Sequence, residues 1–445
     1  MIELFEQYDG LLKQDHCINA CDNYIAILKE KDSYEYQVLR KGEKQSCYSI
    51  NCEKELFYFK TSYFVGINWI VENKLPIYIQ PKLNNESTQI DYMRMLLDAI
   101  EEPENLKHLD DLLYIYFDKP HIPITQKQDL LSPFLIALFL KVMKQIVKKG
   151  LKKSYYSKIE NLNARVKGKI LVSRNIKQNL VSGKKINTIC QYQEFGVNCD
   201  ENKILKKAYR FSQRVIQKFE NGFDKTPLLQ WINYIHPAFE QVSDDIDITK
   251  IKTFRSNPLY KEYDQAIKLA LLILKRYAYN ISNTEQQRIM TPPFWIDMSK
   301  LFELYVYKKL RNIFTSKEVK YHYKAKYQEL DFILKFTNQA DFKFVIDTKY
   351  KPKYHNQSVI IDDIRQISGY ARIEKVYKEL KVTDYRQNID CLIIYSHQKS
   401  DEDFTINHFI LDDQNEIPKS NIQKLKKESG YVNIYKLGIK LPEIL

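Results

Sequence analysis

The sequence predicts an α+β protein in three parts: a β-rich N-terminal domain over residues 1–125, a helical middle region over 126–285 and a C-terminal α/β core over 286–445. Three observations carry this. The first part alternates short aromatic and β-branched runs with polar turns, the second places apolar residues at a spacing near 3.6, and the third runs helix, hairpin, helix, strand. A chain of 445 residues also exceeds what one hydrophobic core organises, so more than one domain is required.

In the first part, strands are expected over Tyr24 to Leu28, Tyr34 to Leu39, Leu56 to Phe59, Tyr63 to Ile70 and Leu75 to Ile79, with a short helix near Met93 to Ile100. Pro81, Asn84-Asn85 and Pro103 mark loops, and His121-Ile-Pro123 closes the region. In the middle, the spacing of Leu135, Leu138, Phe139 and Val142, and the runs Ile204 to Phe219 and Tyr263 to Leu274, predict helices; Val166 to Val172 is a short basic strand candidate between them. After the Thr291-Pro292-Pro293 breaker, Met298 to Leu310 reads as a helix, Glu329 to Phe336 and Phe342 to Tyr350 as strands, Asp362 to Tyr377 as a helix and Cys391 to Ser396 as a strand.

Lys and Arg number 69 against 56 Asp and Glu, a formal charge of +13, so the surface attracts polyanions, nucleic acid before anionic membrane. Abundant Lys, Asn, Ile and Tyr with only 11 Gly also fit an AT-rich coding bias, which supplies part of that charge. The 33 Tyr residues are mostly packing residues, with base stacking the rarer use. Seven scattered Cys and no secretory leader suit the cytoplasm, and Cys17-x3-Cys21 and Cys47-x4-Cys52 are looser than paired zinc knuckles. Lys141, Lys144 and Lys275 interrupt the longest apolar stretches, so no membrane span is expected. Gly168-Lys169 is followed by Ile170 and Gly183-Lys184 by Lys185, so there is no phosphate-cradling loop and no nucleotide hydrolysis is expected of this chain.

The chemistry-bearing residues lie in the last third. Asp331 heads an apolar strand in Glu329-Leu-Asp331, and Asp347 and Lys349 stand two apart in Val345-Ile-Asp347-Thr-Lys349, so they project from one strand face; pairing the two strands brings Asp331 to the same place. Two carboxylates and a backbone carbonyl suit Mg²⁺, which keeps waters for a phosphate or nucleophile to replace. Lys349 then orients or deprotonates the attacking water, or neutralises charge growing on the phosphate. Asp-x-Lys alone is a weak signal; the set gains weight from Glu303 on the upstream helix and from Gln366 and Tyr370, four apart on one face of the downstream helix.

The order and spacing of these residues resemble the PD-(D/E)xK nuclease superfamily, and the flanking text resembles its McrC branch, the nuclease subunit of modification-dependent restriction systems. The matching pieces are Gly66-Ile-Asn, Ile79-Gln-Pro81-Lys82, Gly168-Lys-Ile170 before Arg174-Asn-Ile176, Cys190-Gln-Tyr192-Gln-Glu194-Phe195 leading to Asn202-Lys-Ile204-Leu205, and Met298-Ser-Lys-Leu301-Phe302-Glu303. Gln366 and Tyr370 also resemble the Gln-x3-Tyr element of RecB-like nucleases. The resemblance implies a C-terminal PD-(D/E)xK core in which Asp331 and Asp347 bind Mg²⁺, Lys349 is the catalytic lysine and Glu303 an accessory acid. It further implies cleavage of double-stranded DNA driven by a separate McrB-like AAA+ ring, a GTPase or ATPase, on which the β-rich first domain docks. Two departures stand out: Leu330 occupies the place of the usual Pro, and Asp347 that of a frequent Glu. Lys351 and Lys353 are the candidate DNA contacts nearest the scissile phosphate; Lys320, Lys324 and Lys326, interleaved with Tyr321, Tyr323 and Tyr327, read equally as DNA contacts or a solvated edge strand. The alternatives are a stand-alone RecB-like repair nuclease and a non-catalytic adaptor that stimulates a partner NTPase.

Overall fold

The computed structural model of the chain describes residues 1–17, 24–29, 33–40, 42–53, 56–81, 90–109, 111–125, 128–218, 225–247, 260–281, 289–336, 342–351, 354, 357–397 and 425–443. Lys353, Cys21 and the Asn84-Asn85 turn lie outside them. The chain is a mixture of helices and several sheets and divides into two compact units: one is built from the two ends of the chain, Met1–Leu131 and Arg288–Leu445, together with Asn221–Phe223, the other from Ser132–Glu220 and Asp224–Gln287.

The first unit holds three larger sheets. A five-stranded sheet orders Ile2–Phe5, Leu75–Gln80, Phe64–Val71, Phe294–Asp297 and Leu113–Ile115, so a strand from the far end of the sequence lies between two N-terminal ones. Gly66 makes that insertion possible: its φ is +148°, and a Cβ there would lie 2.2 Å from the Phe294 carbonyl oxygen. A four-stranded antiparallel sheet packs Tyr48, Ile50, Phe57 and Phe59 into the same core as Trp295. Tyr24–Lys29, expected as a strand, is a short helix, with Leu28 buried in that core.

The third sheet orders Val319–Ala325, Gln328–Phe336, Phe342–Lys349, Asp390–His397, Ile434–Lys440 and Lys426–Lys427. The first three pair antiparallel and the next two join in parallel, and two helices, Ile361–Tyr370 and Glu374–Leu380, lie between the third strand and the fourth. Apolar residues on its strands, Leu330, Ile333, Val345 and Ile393, pack with Ile364 and Ile367 of the helix Ile361–Tyr370 and with Val376 and Leu380 of Glu374–Leu380. Each such burial contributes roughly 1.5–3 kcal/mol. The helix expected over Asp362 to Tyr377 is therefore two helices, parted at residues 371–373. Leu330 is fully buried in this core, which gives a packing reason for an apolar residue before the first acid.

The second unit contains the expected helices, Leu131–Lys149 for the first run, Asp200–Lys218 and Lys261–Ile281. It is not only helical: Ser154–Asn163 and Asn187–Gly196 pair antiparallel over ten residues each, and the basic strand candidate shrinks to Lys169–Ile170 on their edge. Asn161 and Asn179 exchange amide hydrogen bonds at 2.9 Å each, and Asn175 accepts from Asn179 at 2.6 Å, closing the loop between the strands. No helix among the described residues is long and apolar enough to cross a membrane.

Candidate active site

The two strands Gln328–Phe336 and Phe342–Lys349 bring the predicted acids together. Phe332 pairs with Ile346, so one step along the ladder Asp331 and Asp347 face each other. Asp347 is almost wholly buried, and Asp331 half-buried. One oxygen of Asp331, Oδ2, accepts from Thr348 N at 2.7 Å and from Thr348 Oγ1 at 2.6 Å. The Thr between Asp347 and Lys349 thus fixes the neighbouring strand's acid, a role the Asp-x-Lys pattern did not reveal.

Both carboxylates hold their protons unusually tightly. Burial, and then the Asp331 charge, push the Asp347 carboxyl up to about 7 against the pull of Lys349. Burial and the Glu303 charge raise Asp331 as well, with the Thr348 hydrogen bonds opposing. Asp347 Oδ2 lies 2.7 Å from Lys349 Nζ but has no hydrogen bond of good alignment. Two buried, mutually repelling carboxylates are a pair that a cation would relieve.

Lys349 sits in a ring of acceptors. Beyond its ion pair with Asp347 it donates to Gln366 Oε1 at 2.8 Å, and Gln366 Nε2 donates to Tyr370 OH at 2.8 Å, so the two helix residues named from the sequence meet the lysine in series. Burial opposes the charged ammonium, but Asp347, Asp331 and Asp363 raise its proton affinity overall. The residue after it is held from the N-terminus: Gln7 Nε2 donates to the Tyr350 carbonyl at 2.7 Å and Tyr350 OH to Glu6 Oε1 at 3.0 Å.

Glu303 comes from the helix Met298–Ile313, which starts directly at the strand residue Asp297, whose Oδ1 caps Lys300 N at 2.8 Å. Its charge acts on Asp331, yet its own oxygens are engaged. Lys300 Nζ lies 3.1 Å and His322 Nε2 2.5 Å from Oε1, and Arg40 Nη2 is 3.9 Å from Oε2. Burial alone would raise its proton affinity; His322 and Lys300 overcome that and hold Glu303 well below the usual carboxylate range. The structure thus places Glu303 in a basic cage beside the acid pair.

Lys351, named from the sequence as a candidate DNA contact, has a partner within the chain. Its Nζ lies 2.7 Å from Asp363 Oδ2, the same oxygen that accepts from Tyr354 OH. Lys320 pairs with Glu379, and Lys324 and Tyr327 are exposed at the sheet edge and its turn. Residues that the sequence reading missed are therefore Thr348, Lys300, His322 and Asp363.

Among the described residues no three His, Cys, Asp or Glu side chains are grouped to hold a metal ion. The donor set is two carboxylates, which fits Mg²⁺ rather than zinc, because Mg²⁺ retains several waters and binds through one or two carboxylates. Of the cysteines, Cys47 is fully buried in the N-terminal core.

Comparison with known proteins gives one family match. The model described as McrBC 5-methylcytosine restriction system component matches residues 59–380. Among solved structures the chain is similar to one described as a refined half-complex from the tetradecameric assembly of Thermococcus gammatolerans McrB AAA+ hexamers with bound McrC, at 15% identity and a TM-score of 0.41, covering 99% of this chain and 94% of that one. A second, the cryo-EM structure of the Thermococcus gammatolerans McrBC complex, is 16% identical with a TM-score of 0.29, covering 70% of this chain and 87% of that one. No curated protein matches the chain.

Proposed function

Since the chain belongs to the McrBC 5-methylcytosine restriction system component family, we propose that it is the McrC-like subunit, a Mg²⁺-dependent endonuclease that cuts double-stranded DNA when driven by a separate AAA+ NTPase ring. The observation that carries this reading is the facing of Asp331 and Asp347 on paired strands with Lys349 against them, as a PD-(D/E)xK core would require.

On this reading Asp331 and Asp347 hold the metal, which when bound supplies Lewis-acid polarisation of a phosphoryl oxygen and a more acidic water. Lys349 keeps a cationic donor beside that position, where negative charge develops on the phosphate during hydrolysis. Gln366 and Tyr370 limit the rotamers of Lys349, so its ammonium is positioned before substrate arrives. Thr348 orients Asp331 through two hydrogen bonds. Glu303, held by Lys300 and His322, acts as an accessory group through its charge on Asp331 and its hold on the neighbouring strand.

Exposed apolar side chains offer the partner ring a docking surface on the second unit, in addition to the first domain's own exposed Ile25, Leu39, Leu56 and Tyr58. Tyr155, Val166, Val172, Val181, Ile186 and Phe195 are all exposed on the ribbon Ser154–Asn163/Asn187–Gly196 and its connecting segment. Soluble proteins seldom leave so many large apolar residues in water along one stretch without a partner for them.

The reading is tested with methylated and unmethylated plasmid, Mg²⁺, nucleotide and a candidate AAA+ partner subunit. Cutting that requires both partner and nucleotide supports it. Equal cutting of DNA ends by this chain alone would replace it with a RecB-like repair nuclease, and partner binding with stimulated nucleotide hydrolysis but no cutting would replace it with an adaptor.

A further inference from the structure

Asp363 belongs to no motif read from the sequence, yet it meets the site from the helix Ile361–Tyr370. It lies three residues before Gln366 and seven before Tyr370, so all three fall on one helix face. Its carboxylate is largely buried. Oδ1 is 3.9 Å from Lys349 Nζ, while Oδ2 takes Lys351 Nζ at 2.7 Å and the Tyr354 hydroxyl. Lys351 Nζ also stands 5.6 Å over the Tyr354 ring.

We infer that Asp363 is a positioning residue: it offers the Lys349 ammonium an anion outside the metal-binding pair and, through Lys351 and Tyr354, anchors the segment that leaves the Asp347 strand. This rests on the nuclease reading above. Lys349 lies 2.7 Å from Asp347, so for Asp347 to hold a dication the ammonium would have to move off that carboxylate. Displacing that ammonium is easier when a second carboxylate is within 4 Å to receive it, because the charge then keeps an opposite partner in a poorly solvated place. Gln366 supplies a neutral acceptor on the same side but no charge.

Lys351 takes a matching role. A phosphate contact needs an ammonium free to reach the ligand, whereas this one is held by Asp363 and Tyr354. It acts as a strut between the strand end and the helix. A simpler role for Asp363 is that of any acid in a first helical turn, which favours the helix whatever its partners. Asp362, next to it and exposed, paired with Arg365 at 3.3 Å, is the control for that role.

The test uses the full chain and two readouts: the Mg²⁺ concentration giving half of the Mg²⁺-induced rise in Tm, and cleavage kinetics in the assembled complex. Asp363→Asn is expected to need about 10-fold more Mg²⁺ and to lower kcat about 10–100-fold with KM for DNA unchanged; Asp362→Asn is expected to match wild type in both. Tyr354→Phe, which removes one hydrogen bond from Asp363, should move both readouts the same way by a few fold, and it carries the test if Asp363→Asn does not fold. Lys351→Gln should slow cleavage while leaving the salt dependence of DNA binding unaltered.

A wild-type Mg²⁺ midpoint and kcat in Asp363→Asn, beside an inactive Asp347→Ala, overturns the inference alone. So does a Lys351→Gln protein with normal kcat whose salt slope falls by about one phosphate contact, roughly 0.9. Mg²⁺ response and cutting that persist in Asp347→Ala overturn the metal-site reading itself, and the inference with it.

Discussion

Replacing Asp347 by Asn should stabilise the metal-free protein while abolishing its cutting. The carboxyl is buried, and its proton affinity rises from an ordinary 3.8 to about 7 because of burial and the Asp331 charge. Each tenfold change in proton affinity is worth about 1.4 kcal/mol, so the ionised side chain costs the fold on the order of 4 kcal/mol. The sign follows from the direction of the shift. A raised carboxyl leaves the folded state unpenalised below 3.8, and the cost grows as pH rises through the window up to about 7. Asp347 also holds Lys349 at 2.7 Å, and losing that partner returns part of the gain, although Gln366 and Asp363 remain.

A net gain of about 2 kcal/mol is therefore expected at pH 8, which for a unit of this size is a rise in Tm of about 3 °C. The gain should shrink to about zero near pH 4. The assay is thermal unfolding across pH, with and without Mg²⁺; added Mg²⁺ should raise the wild-type Tm and leave the variant's unchanged. If Asp347→Asn lowers Tm equally at pH 4 and pH 8, the carboxylate is a structural partner of Lys349 and the argument from two repelling acids is refuted.

Further outcomes follow from neighbouring contacts. Gln366→Ala removes the neutral acceptor of Lys349 and should lower kcat about 10-fold or more with little change in KM, read from cleavage kinetics in the complex. Gly66→Ala places a methyl 2.2 Å from the Phe294 carbonyl oxygen at a φ of +148°, so unfolding should show a loss of about 3 kcal/mol or more; a loss under about 1 kcal/mol would mean the inserted strand yields easily. Burial raises the Glu6 carboxyl well above its ordinary 4.5, so its ionisation costs stability as pH climbs through the raised value; Glu6→Gln, which keeps the acceptor for Tyr350, should raise Tm at pH 8 and leave it unchanged near pH 4. Val181→Asp with Phe195→Asp should weaken co-purification with the AAA+ ring while leaving the Mg²⁺-induced Tm rise intact.

What the sequence made legible was local. Asp331, Asp347 and Lys349 stood out because charged residues interrupt strands that are otherwise apolar, and strand alternation then puts Asp347 and Lys349 on one face. Gln366 and Tyr370 were visible for a similar reason, being one helical turn apart. Asp363 was not, because its significance comes from its contacts with Lys351 and Tyr354, which no sequence spacing announces. The basic cage around Glu303 is likewise tertiary, with Arg40, Lys300 and His322 drawn from three separate elements.

The fold followed the same division. Met298–Ile313 and the site strands were legible from apolar spacing. Ser154–Asn163 and Asn187–Gly196 were missed because polar residues are scattered along both strands and only Ile189, Cys190 and Tyr192 among them are buried. Tyr24–Lys29 misled because a six-residue helix with one well-buried Leu carries too few turns to show a helical period.

The central claim, that Asp331, Asp347 and Lys349 form a Mg²⁺-dependent DNA-cutting centre, is tested most directly by cleavage of plasmid in the assembled complex with wild type, Asp347→Ala and Lys349→Ala at matched partner occupancy. The account predicts cutting by wild type that EDTA abolishes and excess Mg²⁺ restores, and a loss of about 10³-fold or more in both variants, with partner binding intact. Cutting that survives both substitutions would contradict it and place the catalytic centre elsewhere.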